Sequence, residues 1–211
     1  MSAVAPNHVS GIVNRTQEID GTKLWAYVLR QWSPPMMDEM TIRLAIRTTA
    51  RISFVLFLCA FLADALCRLW PAAATLWLKA NRGRFTLGLA ASHTLHLGFI
   101  LALVAALGRE HLLNELGWGV LTAFTTGLLF IYALAASVLL HHHKVWLTSP
   151  GFEAFAQYFL ITLFAFAFAL SGLTRPLFYA PFVLAAIGAL GLRITAAIRS
   201  RKIAVLTATA R

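Results

Sequence analysis

His93 and His96 interrupt the stretch FTLGLAASHTLHLGFILALVAAL, Phe85 to Leu107, which holds no other ionisable side chain. Three residues apart on a helix, their side chains leave the same face. Ionisable groups in hydrocarbon are costly and mark functional sites by default. An inward imidazole in a helix bundle is a common axial ligand of haem iron. Two ligands of one iron approach the porphyrin from opposite sides, so a six-coordinate haem needs a partner from another helix. The competing reading is a pair of neutral histidines bonded to Ser92, Thr94 or helix carbonyls, or lining a polar pocket.

Other groups with chemical potential are few. His141, His142 and His143 are three adjacent imidazoles, a plausible ligand set for Zn, Cu or Ni. Beside Lys144 they also read as a solvated, partly basic interface. Asp64 stands one turn before Arg68, the spacing of a local ion pair, with a proton relay as the alternative. Glu153 and Gln157, again four apart, are placed to line the mouth of a later helix. Phe159, Phe164, Phe166 and Phe168 read as packing or lipid-facing bulk rather than a haem cage. Cys59 and Cys67, eight residues apart on one helix, are separated by about 12 Å and cannot bridge to each other.

The elements that must position these groups are membrane helices. Of the 211 residues 59% are hydrophobic and 12% charged, with a mean hydropathy of +0.73. Soluble domains carry roughly 25% charge, so an ordinary soluble enzyme is excluded. Five segments meet the requirement of about 20 apolar residues: Ile52 to about Trp70, Phe85 to Leu107, Trp118 to Leu140, Phe152 to Leu173, and Leu177 to about Ile194. The expected fold is therefore all-α, a polytopic bundle of five helices, or six if a further segment is helical. Ser149-Pro150 and Thr174-Arg175-Pro176 mark helix starts and Gly172 an end. Gly88 with Ser92, and Gly188 with Gly191, offer small faces for close approach.

The domain reading is a polar segment over 1–39, a bundle over 40–198 and a basic tail over 199–211. Residues 1–39 carry Pro34-Pro35 and no signal-peptide pattern, and read either as a disordered segment or as a mis-assigned start, with Met40 the true first residue. The formal net charge is +10. In a chain this apolar it reads as topology charge rather than a nucleic-acid footprint. Arg68, Lys79, Arg82 and Arg84 flank the first connection, and Arg193, Arg199, Arg201, Lys202 and Arg211 load the tail. The first connection, the third connection and the C-terminus are accordingly expected in the cytoplasm of a cell-membrane protein. Arg43, Arg47 and Arg51, recurring every four residues, are expected in the headgroup region.

Asn81-Arg82-Gly83-Arg84-Phe85-Thr86-Leu87-Gly88-Leu89, followed by Ser92-His93-Thr94-Leu95-His96, resembles the second-helix signature of the ferric reductase-like transmembrane domain family. The resemblance implies haem b binding and transmembrane electron transfer, with His96 in the ligand's place after Leu95 and His93 one turn earlier. The family's second signature, a Trp-x-x-Leu-His opening of a later helix, corresponds to Phe152-Glu153-Ala154-Phe155-Ala156. Ala156 stands where that ligand belongs, and Ala169 where a further histidine is common. The chain contains no G-x-G-x-x-G, no P-loop and no stretch long enough for a flavin or nicotinamide domain. Electron transfer would therefore draw on a quinol or a separate flavoprotein. A cofactor-free helix bundle acting as an assembly or interaction subunit is the alternative function.

Overall fold

The computed structural model describes residues 38–140 and 146–209. The polar segment up to residue 37 and the His141–His143 triplet lie outside them. The described residues are all-helical, as expected: α1 (Glu39–Leu69), α2 (Ala73–Ala80), α3 (Arg82–Leu107), α4 (Arg109–Leu139), α5 (Pro150–Gly172) and α6 (Pro176–Thr209), with a 3₁₀ turn over Trp146–Thr148. Five of these helices are long and apolar enough to cross a membrane, so the protein is an integral membrane helix bundle. The short α2 covers the first connection.

Local chemistry sets the helix ends. The carboxylate of Asp38 accepts the Thr41 amide at 2.9 Å and caps α1. Ser149 caps α5 by accepting the Phe152 amide at 3.3 Å, with Pro150 at the first helical position. Glycine is required at two turns: Gly108 (φ 90°) separates α3 from α4, and Gly117 (φ 70°) breaks α4 at the start of its membrane span. A residue with a Cβ would be strained at either position.

The arginine stripe does not lie flat. Arg43, Arg47 and Arg51 belong to the same unbroken 31-residue helix as the first span, about 46 Å long at 1.5 Å per residue. That exceeds the roughly 30 Å hydrocarbon layer, so α1 carries its own arginine turns to one end of the bundle. At the opposite terminus, helix α6 runs through the basic tail as far as Thr209.

The five long helices close a ring in chain order. Helix α1 packs on α3, α3 on α4, α4 on α5, α5 on α6, and α6 back on α1. Alanines that are completely buried, among them Ala63, Ala156 and Ala186, let the helix backbones approach. Phenylalanines fill the centre. Phe54 of α1 meets Phe164 and Phe168 of α5 at centroid distances of 5.4 and 5.0 Å and Phe182 of α6 at 6.0 Å. Phe57 meets Phe164 at 5.4 Å and Phe61 at 5.4 Å. Phe164 and Phe168 are thus core, whereas Phe166 is exposed. The serine face expected on α3 is used, because Ser53 Oγ donates to Ser92 Oγ at 3.0 Å. At Gly188 and Gly191 an added Cβ would meet nothing within 4 Å, so these two glycines make no close approach.

One end of the ring is tied by charge. Arg82 Nη1 donates to Asp64 Oδ2 at 2.6 Å, Lys79 lies 3.6 Å from Asp64 Oδ1, and the other Arg82 amino group pairs with Glu153. Gln157 Nε2 donates to Glu153 Oε1 at 3.1 Å, and Gln157 Oε1 accepts from Arg193 Nη1 at 2.5 Å. The Arg193 guanidinium covers the rings of Phe61 and Tyr158 at 4.5 and 5.3 Å. One continuous chain of contacts therefore joins α1, α3, α5 and α6. Asp64 takes Arg82, 18 residues away, in preference to Arg68 one turn away on its own helix, because α3 delivers a guanidinium that can bridge two carboxylates at once.

Candidate cofactor site

Toward the other end the helices leave a cavity of about 460 Å³, within the usual range for ligand pockets. His93 and His96 both line it. The walls are otherwise mostly aliphatic and aromatic, from Leu97 and Ile100 of α3 through Leu121 and Phe124 of α4 to Leu163 and Phe164 of α5. Arg43 and Arg47 of α1 line it as well.

Depth follows from the charge network. At about 1.5 Å per residue, His93 lies about 16 Å and His96 about 21 Å from the level of Arg82. The pair is inside the bilayer and displaced toward the arginine end. Arg47, counted from Asp64 along α1, is about 26 Å from that same level, one turn beyond His96.

His96 is held by α1. Its Nδ1 lies 3.0 Å from the carbonyl oxygen of Ile46 and 3.0 Å from the Thr49 hydroxyl. A carbonyl can only accept, so Nδ1 carries the proton and the neutral ring presents Nε2 as its basic nitrogen. The Thr49 hydroxyl is itself anchored on the Ala45 carbonyl at 2.8 Å. A backbone carbonyl on one ring nitrogen, leaving the other to ligate, is the usual outer-shell arrangement of metal-bound histidine. Neither His96 nor its neighbour is a histidine satisfied by its own helix.

His93 differs. Its ring sits 5.1 Å from that of His96, and its buried Nδ1 has no hydrogen-bond partner. A buried nitrogen without a partner costs free energy.

The arginine stripe is part of this site. Arg43 pairs with Glu39 at 2.7 Å while lining the cavity, and Arg47 follows one turn deeper. Arg51 stacks its guanidinium over Tyr179 and Phe182 at 5.4 and 5.5 Å, and its buried Nε is without a hydrogen-bond partner. Sequence reasoning assigned these arginines to the headgroups. Their four-residue spacing held the signal that they share one face, but nothing in the sequence says which face meets α3. Tyr179, buried and lining the cavity, carried no signal at all.

Ala156 is fully buried in the hydrophobic core and is not part of the cavity wall. It lies three residues beyond Glu153, which touches Arg82, so it is roughly 12–16 Å short of the histidines along the bundle axis. A histidine at 156 would not face His96. Ala169, by the same count about 24 Å from that level, is closer to their depth.

Among the described residues no three His, Cys, Asp or Glu side chains come together as a metal site. Two histidines are too few for a closed site for a bare Zn²⁺, which takes four ligands. They suffice for a metal that brings its own equatorial ligands, as the iron of a porphyrin does. No family model matches the chain, and no curated protein or solved structure matches it.

Proposed function

We propose that this chain is a haem b protein of the cell membrane, resembling the ferric reductase-like transmembrane domain family and serving transmembrane electron transfer. The observation that carries this reading is His96: its Nδ1 is tied to the Ile46 carbonyl, which leaves Nε2 available beside an apolar cavity of about 460 Å³. The residues fit the group. His96 would hold the iron, with His93 one turn earlier on α3 as the second choice. Arg43 and Arg47 supply cations for the two propionates, and the aliphatic and aromatic walls keep water out. Bound haem supplies a one-electron couple whose potential follows axial ligation, burial and nearby charge. The chain's own share is to hold the imidazole in one tautomer through Ile46 and Thr49 and to keep the site dry. Electrons would come from a quinol or a separate flavoprotein.

Topology supports a cytoplasmic C-terminus. Lys79, Arg82, Arg84, Arg193, Arg199, Arg201 and Lys202 gather at the end that carries the first connection and the tail, as cytoplasmic ends do. Arg43, Arg47 and Arg51 weigh less against this because they turn onto the cavity and its aromatic flank.

A second reading, a cofactor-free bundle acting as an assembly or interaction subunit, draws on Ala156, which packs as core where a ligand would stand in the related signature. Visible spectra of the detergent-purified protein, expressed with haem supplied, separate the two. A Soret band and a reduced α-band are expected, and His96→Ala should abolish or shift them. A colourless protein would overturn the haem reading in favour of the second.

A further inference from the structure

At the end of the bundle opposite the cavity, helix α2 turns its apolar side away from the protein. Ala73, Leu76, Trp77 and Ala80 fall at i, i+3, i+4 and i+7, one stripe of a helix. Leu76 and Trp77 are 54% and 60% exposed, and Trp70 just before the helix is 57% exposed. The other face, with Thr75 and Leu78 partly buried, is the one toward the bundle. Lys79 on that side lies 3.6 Å from Asp64 of α1, and Trp77 meets Phe85 of α3 edge to face at 5.9 Å. These contacts hold the rotation of α2. Its level is held too, because residues 70–81 join the end of one spanning helix at Leu69 to the start of the next at Arg82. That level is where tryptophans and amphipathic helices meet the bilayer interface.

Cations gather at the same level. Asp64 and Glu153 take Lys79 and Arg82, while Arg68 near the end of α1 and Arg84 near the start of α3 stand exposed. Packing of Ala196 on Ala65 and Leu69 brings the basic turns of α6 here as well. Arg199 Nη1 donates to the Leu69 carbonyl oxygen at 3.3 Å, one residue from Trp70, and Arg201 and Lys202 follow it, exposed. We propose that α2 and these turns of α1, α3 and α6 form a binding surface for phospholipid headgroups of net negative charge. Trp70, Leu76 and Trp77 lie among the upper acyl segments, and Arg68, Arg84 and Arg199 face the phosphates.

Charge selects the occupant. A zwitterionic headgroup carries as much positive as negative charge, so a surface of cations gains little from it. An anionic surface attracts each nearby Lys or Arg by an amount equivalent to roughly fivefold in affinity, and salt screens that attraction. A second copy of the chain on the same patch would set these cations against their own kind. A soluble partner would have to take up a stripe that two flanking spans hold at the membrane.

The test uses the full-length protein reconstituted in vesicles of phosphatidylcholine and phosphatidylglycerol, with one or the other lipid brominated on its acyl chains. Tryptophan fluorescence is recorded, and the contribution of Trp70 and Trp77 is the difference between wild type and the double variant Trp70→Phe, Trp77→Phe. At equal mole fraction and low salt, brominated phosphatidylglycerol should quench that contribution with an apparent affinity roughly tenfold above that of brominated phosphatidylcholine. High salt should remove most of the preference. Arg68→Gln and Arg84→Gln should each cut it severalfold, whereas Arg68→Lys and Arg84→Lys should retain it. Equal quenching by the two lipids overturns the headgroup preference. Quenching by neither lipid places α2 against protein and overturns it as well. A preference that survives high salt and both glutamine substitutions overturns it by locating its origin outside these cations.

Discussion

The two ends of this bundle handle polar groups in opposite ways. Around Arg82 the groups are matched: Asp64, Lys79, Glu153, Gln157 and Arg193 join in one chain of contacts. Around His96 they are left over. His93 Nδ1 and Arg51 Nε are buried without a hydrogen-bond partner, beside or near a cavity. A saturated network holds helices together and has no capacity for a ligand. An unsaturated set costs stability, and a bound group could recover that cost. The difference separates a region of one membrane protein that serves as scaffold from one that is a candidate site.

The contrast can be broken most severely at Arg82. Arg82→Ala leaves both Asp64 and Glu153 without their shared cation. Because the groups are partly exposed, the loss should be about 2–3 kcal/mol of bundle stability, read by denaturant titration in detergent, with little effect on the His96 site itself. Gly127→Ala comes next. A Cβ there would collide with the end of the Leu163 side chain, and both residues line the cavity. Leu163 must turn further into the space, so haem content per protein should fall severalfold while the fold, followed by circular dichroism, is retained.

Thr49→Val removes one of the two groups that orient His96. Haem affinity should drop by roughly tenfold with stability nearly unchanged, measured by haem titration of the apo-protein. His93→Leu sharpens the comparison from the other side. Removing an unpartnered nitrogen should leave the apo-protein as stable as wild type or more stable by up to about 1 kcal/mol, in contrast to the loss at Arg82. The smallest effect concerns Asp38, outside the span. Its bond from Thr41 holds the carboxyl below the usual carboxylate range. A lowered folded pKa means that this capping contribution is present above the ordinary range and is lost as pH falls through the folded value. Hydrogen exchange at the first amides of α1 should therefore accelerate in acid, and in Asp38→Asn that acceleration should be absent.

Much of the architecture is legible in the chain because membrane helices are written in local composition. The spans from Phe85 to Leu107 and from Phe152 to Leu173 needed only hydropathy, and the start of α5 at Ser149-Pro150 needed only capping chemistry. The partner of Asp64 was not legible. A helix offers Arg68 at i,i+4, and only the packing of α3 on α1 brings Arg82 closer. The same packing sets the role of the arginine stripe: its spacing makes one face, but the choice between headgroups and cavity depends on how α1 is rotated against its neighbours.

The sequence by itself determined an all-α bundle of five spanning helices, because about 20 apolar residues in a row have no other low-energy arrangement in a bilayer. It also singled out His93 and His96, since few ionisable residues fall inside the spans. Tertiary structure alone decided that Ile46 and Thr49 fix the His96 tautomer and that Arg43 and Arg47 share its cavity. It also decided that Ala156 packs into core at a different depth. The physical reason is that helix formation in a membrane is a local event, whereas the rotation and depth of each helix are set by side chains distant in the chain that meet only when the ring closes.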